Sequence, residues 1–139
     1  LFKGTVPCPG WVAQKFGIEE NSEVVQIKRR RHSKGKPIVV DNRYVPKTFG
    51  DNITEEELIQ YSFSHIFLSK FQLQFTQGNL EIEAMLADET IANELEIDVG
   101  WPILHRYIDL IVDGYGCILT GDSFYRGDMY KYRSVLYNS

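Results

Sequence analysis

Apolar positions gather in two short runs, Val24 to His32 and Pro37 to Pro46, that flank the polar segment Ser33-Lys34-Gly35-Lys36. This pattern predicts two β-strands joined by a glycine-bearing turn. Successive side chains of a strand point to opposite faces, so Arg29 and Arg31 share one face while Lys28 and Arg30 take the other. Two guanidinium groups projecting together from a rigid sheet suit a phosphate or carboxylate, which each can grip with paired hydrogen bonds. The rest of the chain is expected to frame a pocket over that pair.

Pro9 to Phe16 reads as a short helix, with Pro9 at an early helical position and Gly17 as its C-terminal stop. Thr54 and Glu57 fit a capping box, and Glu55, Glu56 and Glu57 suit the positive end of the helix that follows. That helix fades near Ser62 and a second is expected from about Ser64, with Ser64 as N-cap. Phe63, Phe67 and Phe71 recur every four residues and read as a core stripe. The start of this second helix offers free N–H groups to an anion, unless Ser64 merely caps it. Gln72 to Ala84 reads as extended, with a turn at Gln77-Gly78-Asn79. Glu81 and Glu83 share a strand face opposite Ile82 and Ala84, which fits a solvated face better than an acid–base pair. A helix from Asp88 to Leu95, strands from Trp101 to Val112 and Cys117 to Tyr125, and a last strand from about Met129 to Tyr137 complete the reading.

A weak repeat runs through the chain. Val12-Ala13-x-x-Phe16-x-Ile18-Glu19 with Val24-Val25 parallels Ile91-Ala92-x-x-Leu95-x-Ile97-Asp98 with Ile103-Leu104, and each set leads to a glycine turn, at Gly35 and Gly114. Each half is therefore a helix leading into a hairpin. Two such halves predict an α+β fold, an antiparallel β-sheet with helices packed against it, leaving ligand space between the hairpins.

Composition narrows the function classes. At 139 residues, 43% hydrophobic and 24% charged, the chain reads as one domain spanning 1–139. A net charge of −4 argues against autonomous nucleic-acid binding. No apolar run is long enough to cross a bilayer and no charged-then-apolar leader is present, so the expectation is a cytoplasmic protein without a membrane partner. A start at Leu1 instead of Met suggests a fragment whose N-terminal neighbour is missing. Cys8 and Cys117 read as reduced thiols, with a bridge between them as the alternative. His32, His65 and His105 show no metal-ligand spacing, no nucleotide or hydrolase motif occurs, and no cofactor is expected. Arg126-Gly127-Asp128 reads as a turn between strands.

Seven short motifs recur in order from about Trp11 to Tyr137. They are Ala13-x-x-Phe16-Gly17-Ile18, Arg29-x-Arg31-x-x-x-Gly35-x-Pro37, Asp41-x-x-Tyr44-Val45-Pro46 and Ser64-His65-Ile66. Ile82-Glu83-Ala84, Leu95-x-Ile97-x-x-Gly100-x-Pro102 and Tyr125-Arg126-Gly127-Asp128 follow. Together they resemble the UTRA domain, the effector-sensing part of GntR-like bacterial transcription regulators, whose fold is like that of chorismate lyase. The resemblance implies a homodimer without enzymatic activity that binds a small anionic metabolite, a phosphorylated sugar or related phosphate. Operator DNA would be bound only through an N-terminal winged helix-turn-helix. It implies Arg29, Arg31, Ser64 and His65 for the anion, and Asp41 and Tyr125 for the polar remainder of the ligand. Family members commonly carry Pro-x-Glu in the second hairpin, where this chain has Cys117-x-Leu119, and usually Glu at the place of Asp41. The competing readings are a lyase on the same fold, drawing an acid from Glu81 or Glu83, and a dimerisation module with a vestigial pocket.

Overall fold

The computed structural model describes residues 1–137. Six strands form one antiparallel sheet: β1 (Phe2–Pro7), β2 (Glu23–Ser33), β3 (Lys36–Pro46), β4 (Gln77–Leu86), β5 (Pro102–Val112) and β6 (Gly116–Arg126). Their spatial order is β1-β2-β3-β6-β5-β4. The helices are α1 (Gly10–Phe16), α2 (Lys47–Gly50), α3 (Glu55–Gln60), α4 (Phe63–Phe71) and α5 (Glu89–Leu95). The α+β fold read from the sequence is the fold observed.

The Arg-bearing hairpin forms because Lys34 and Gly35 both take positive φ, 51° and 78°, as a tight two-residue turn that follows the sheet's twist requires. The repeat is real and extends further than its motif. Each half is strand, helix, hairpin: β1-α1-β2-β3 and β4-α5-β5-β6. The halves meet where β3 pairs with β6 through Asp41↔Ser123, Asn42↔Asp122 and Arg43↔Gly121, a register that reads the same from either half. The strands approach so closely there that a Cβ on Gly121 would sit 2.0 Å from the Asn42 carbonyl oxygen. Each half also lends its helix to the other. Lys15 of α1 pairs with Asp109 of β5 at 2.9 Å. Across from it, α5 buries Ile91, Ala92 and Leu95 with Val40 of β3.

On the other face, α2, α3 and α4 cover one end of the sheet. Ile53, Leu58, Ile66 and Phe67 pack there on Val25, Ile27, Val45 and Leu119. Burying a ring as completely as that of Phe67, at 0% exposure, stabilises the fold by about 2–3 kcal/mol. The capping box at Thr54 and Glu57 is formed in both directions, at 3.1 and 2.9 Å. Cys8 and Cys117 are both free thiols, Cys8 buried beneath α1.

Three expectations fail, each for a local reason, and one strand lies where none is expected. The cap of α4 is Ser62, whose hydroxyl accepts the His65 N–H at 3.2 Å; Ser64 lies inside the first turn, because the helix begins early enough to include Phe63 in its buried stripe. Gln77-Gly78-Asn79 is strand, paired with Ile111, Leu110 and Asp109, and Gly78 lies flat against Leu110. Met129 to Tyr137 holds no strand; the chain turns at Gly127–Met129 and continues without regular structure. Strand β1 was not legible, since its exposed edge position leaves Gly4 and Pro7 no apolar pattern to complete.

Candidate functional site

The end of the α2–α4 face that those helices leave uncovered is built from charged residues. Register places Arg29 beside Asp41, Asp41 beside Ser123 and Ser123 beside Arg106, one row across four strands. Strand alternation puts Arg31, Tyr125 and Arg43 on the same face, two residues along from members of that row. Asp41 is the hub. Its Oδ2 accepts from Arg31 Nε at 2.8 Å and lies 2.7 Å from Arg31 Nη2. Its Oδ1 accepts from the Ser123 hydroxyl at 2.6 Å, with Arg43 Nη2 at 3.7 Å. The Asp41 side chain is buried, but that of Arg31 is 56% exposed, so its guanidinium is held at the base and open at the rim.

Arg29 and Arg43 play different parts. Arg29 donates a long 3.5 Å bond to the Leu58 carbonyl and lies 5.9 Å from the centre of the Phe63 ring, which brings it beside the start of α4. Arg43 is buried and donates to the carbonyls of Asn42 and Asp122 and to Ser123 Oγ. Burial pulls its guanidinium below the ordinary value, Asp41 works against that shift, and Arg106 adds to it. Arg106 lies over the Tyr125 ring at 5.5 Å. Burial raises the Tyr125 phenol while Arg106 pulls it back. Tyr130, from the segment after β6, stacks on Tyr125 at 3.9 Å and closes that side. One face thus carries Arg29, Arg31, Arg43 and Arg106 with the carboxylate of Asp41, which Arg31 and Arg43 meet directly, a local positive excess in a chain of net charge −4.

Of the residues nominated from sequence, Arg29, Arg31, Asp41 and Tyr125 come together here. Ser64 is exposed in the first turn of α4, next to Phe63 and hence near Arg29. His65 lies elsewhere: its ring stacks on Tyr61 at 4.5 Å, on the side of α4 away from its buried face. Arg43, Ser123 and Arg106 were missed. The signal for Arg43 was present in its two-residue spacing from Asp41; Arg106 and Ser123 needed the β5–β6 register.

The opposite face separates the remaining charges. Lys28 and Arg30 both bond to Glu94 of α5, Lys28 to its carboxylate and Arg30 to its carbonyl. A cavity of about 410 Å³ lies there against α1, lined by Trp11, Lys15, Asn79, Glu81, Tyr107, Asp109 and Asp122. Glu83 approaches His105 Nδ1 at 3.3 Å, and Asp122 meets Nε2 at 2.8 Å. Glu81 and Glu83 therefore cannot serve as an acid beside the arginines, which the lyase reading required. Among the described residues no His, Cys, Asp and Glu group is arranged to hold a metal ion, and no helix is long and apolar enough to cross a membrane.

Comparison with known proteins agrees with this architecture. The transcriptional regulator (GntR family) from Enterococcus faecalis V583 superposes with a TM-score of 0.88 at 18% identity, covering 98% of this chain and 97% of that one. A GntR-family ligand-binding domain from Bordetella bronchiseptica gives 0.84 at 24% identity, covering 99% and 87%. PhnF from Mycobacterium smegmatis gives 0.80 at 17% identity, covering all of this chain and 61% of its own length. A search of curated proteins gives no match. At these identities the superpositions speak for the fold. The UTRA domain family matches residues 3–131, nearly the whole sequence, and the chain belongs to that family.

Proposed function

We propose that residues 1–139 form the effector-binding and dimerising domain of a GntR-family transcriptional regulator, working in the cytoplasm without catalysis. The effector is a small anionic metabolite bearing a phosphate, a phosphorylated sugar or related phosphate. DNA contact belongs to a winged helix-turn-helix outside this chain. The observation that carries the reading is the Arg29–Arg31 pair, set on one face beside the start of α4 with Arg31 anchored on buried Asp41. Anchoring leaves the outer N–H groups of Arg31 free to meet a phosphate, and the first-turn amides of α4 add donors. Asp41 and Tyr125 face the rest of the ligand. Binding changes DNA affinity only if one conformation of the domain holds the effector better than another.

Melting temperature against sugar phosphates, organophosphates and small carboxylates at fixed ionic strength tests this. A ligand at a hundred times its Kd stabilises the fold by about 2.7 kcal/mol, a rise of roughly 5–15 °C for a domain of this size. A selective rise with a phosphate that Arg31→Ala abolishes supports the reading. A rise with carboxylates alone sinks the phosphate assignment.

A further inference from the structure

We propose that the effector carries, besides its phosphate, a carboxylate at its far end, and that Arg106 binds it. This rests on the arginine cluster being the effector site. Arg29, Arg30, Arg31, Arg43 and Arg126 each donate to an oxygen of the protein. Arg106 has no hydrogen bond or ion pair among the described residues, and its Nε is fully buried without a partner. The side chain is only partly buried, but its Nε–H has given up water without gaining an acceptor, and no carboxylate lies within ion-pair distance. Arg43, of like sign, is close enough for the Arg106 charge to act on it.

Position gives the missing partner its class. Arg106 ends the row that Arg29 begins, three strand spacings away, so their backbones are about 14 Å apart. A span of that length suits a short chain with an acidic group at each end. The floor between them offers few acceptors, since both oxygens of Asp41 are engaged by Arg31 and Ser123. A terminal hydroxyl at the Arg106 end would leave its hydrogen wanting a partner there, whereas a second anion meets donors. Tyr125 backs the Arg106 guanidinium and leaves its edge to a planar, two-oxygen acceptor, the geometry of a carboxylate.

The test compares compounds that differ only in the far group. Titration calorimetry is run with 6-phosphogluconate against sorbitol 6-phosphate, 3-phosphoglycerate against glycerol 3-phosphate, and inorganic phosphate as reference. In at least one pair the carboxylate compound binds tighter by about tenfold or more, and Arg106→Gln erases that difference while leaving phosphate binding intact. Arg106→Leu melts no lower than the parent chain without ligand, because it removes an unsatisfied charge. Equal affinity within both pairs, or no binding by any of the four, overturns the proposal, as does marked destabilisation by Arg106→Leu, which makes the residue structural. Phosphate binding that depends on Arg31 then shows whether the underlying site reading survives; its loss would fell both.

Discussion

The two ends of one sheet face make the most instructive comparison in this molecule. The pseudo-two-fold relation between the halves exchanges these ends, so they start from equivalent backbone. Ile27 on β2 holds the place that Arg106 holds on β5, and Val45 on β3 that of Tyr125 on β6. One end carries Val25, Ile27, Val45 and Leu119 beneath the helices inserted between β3 and β4. The other carries Arg29, Arg31, Asp41, Arg106 and Tyr125, and the inserted helices reach it only at Arg29, through Leu58 and Phe63. The duplicated scaffold supplies geometry to both. The inserted helices turn one end into core, and their absence over the rest of the other lets guanidinium groups stand where burial would be prohibitive. Stability and binding are therefore expected to separate by end.

Phe67→Ala breaks the dry end most severely. It removes a fully buried ring and should cost about 3–5 kcal/mol in denaturant unfolding while leaving phosphate affinity unchanged below the shifted midpoint. Gly121→Val strikes the line between the halves, where the new side chain meets the Asn42 carbonyl, and should cost about 3 kcal/mol with loss of both properties together. Arg31→Ala does the reverse of the Phe67 change. Affinity for phosphate should fall by about tenfold or more, and stability by only about 1–2 kcal/mol, since Asp41 keeps Ser123 and Arg43. Thr54→Ala removes the cap that seats α3 and should lower stability by about 1 kcal/mol without touching binding.

The smallest effect is alkaline. Tyr44 and Tyr125 have phenols raised by burial, so the folded chain holds their protons longer than the unfolded chain. Their contribution is whole below about pH 10 and is lost above it as the unfolded phenols ionise. Urea midpoints should be insensitive to these groups up to that pH and then fall, with a shallower fall in Tyr125→Phe. A midpoint that climbs above pH 10 contradicts the sign.

What was legible in the sequence follows from how local each signal is. The hairpin at Lys34-Gly35, the capping box and the Phe63, Phe67 and Phe71 stripe are set by residues a few positions apart, and all three stand. The split of the basic run into two faces was readable from strand period alone, and the structure sends Lys28 and Arg30 to Glu94 but Arg31 to Asp41. Gly78 misled because glycine marks turns and flat edge strands alike. Ser62 and Ser64 are chemically equal candidates for the cap of α4, and only the buried stripe decides between them. Arg106 and Ser123 were out of reach, because their place in the row that holds Asp41 depends on pairing between strands far apart in sequence.

Arg30 and Arg31 are adjacent, equally charged and point to opposite faces, which makes them a matched pair for the decisive measurement. Calorimetric titration of inorganic phosphate into the parent chain, Arg30→Ala and Arg31→Ala removes the same charge from either side of the sheet. Binding that survives in Arg30→Ala and weakens by about tenfold or more in Arg31→Ala places the anion on the face of Asp41 and Arg106. Equal weakening in both, or loss in Arg30→Ala alone, would mean that the arginine cluster is not the effector site.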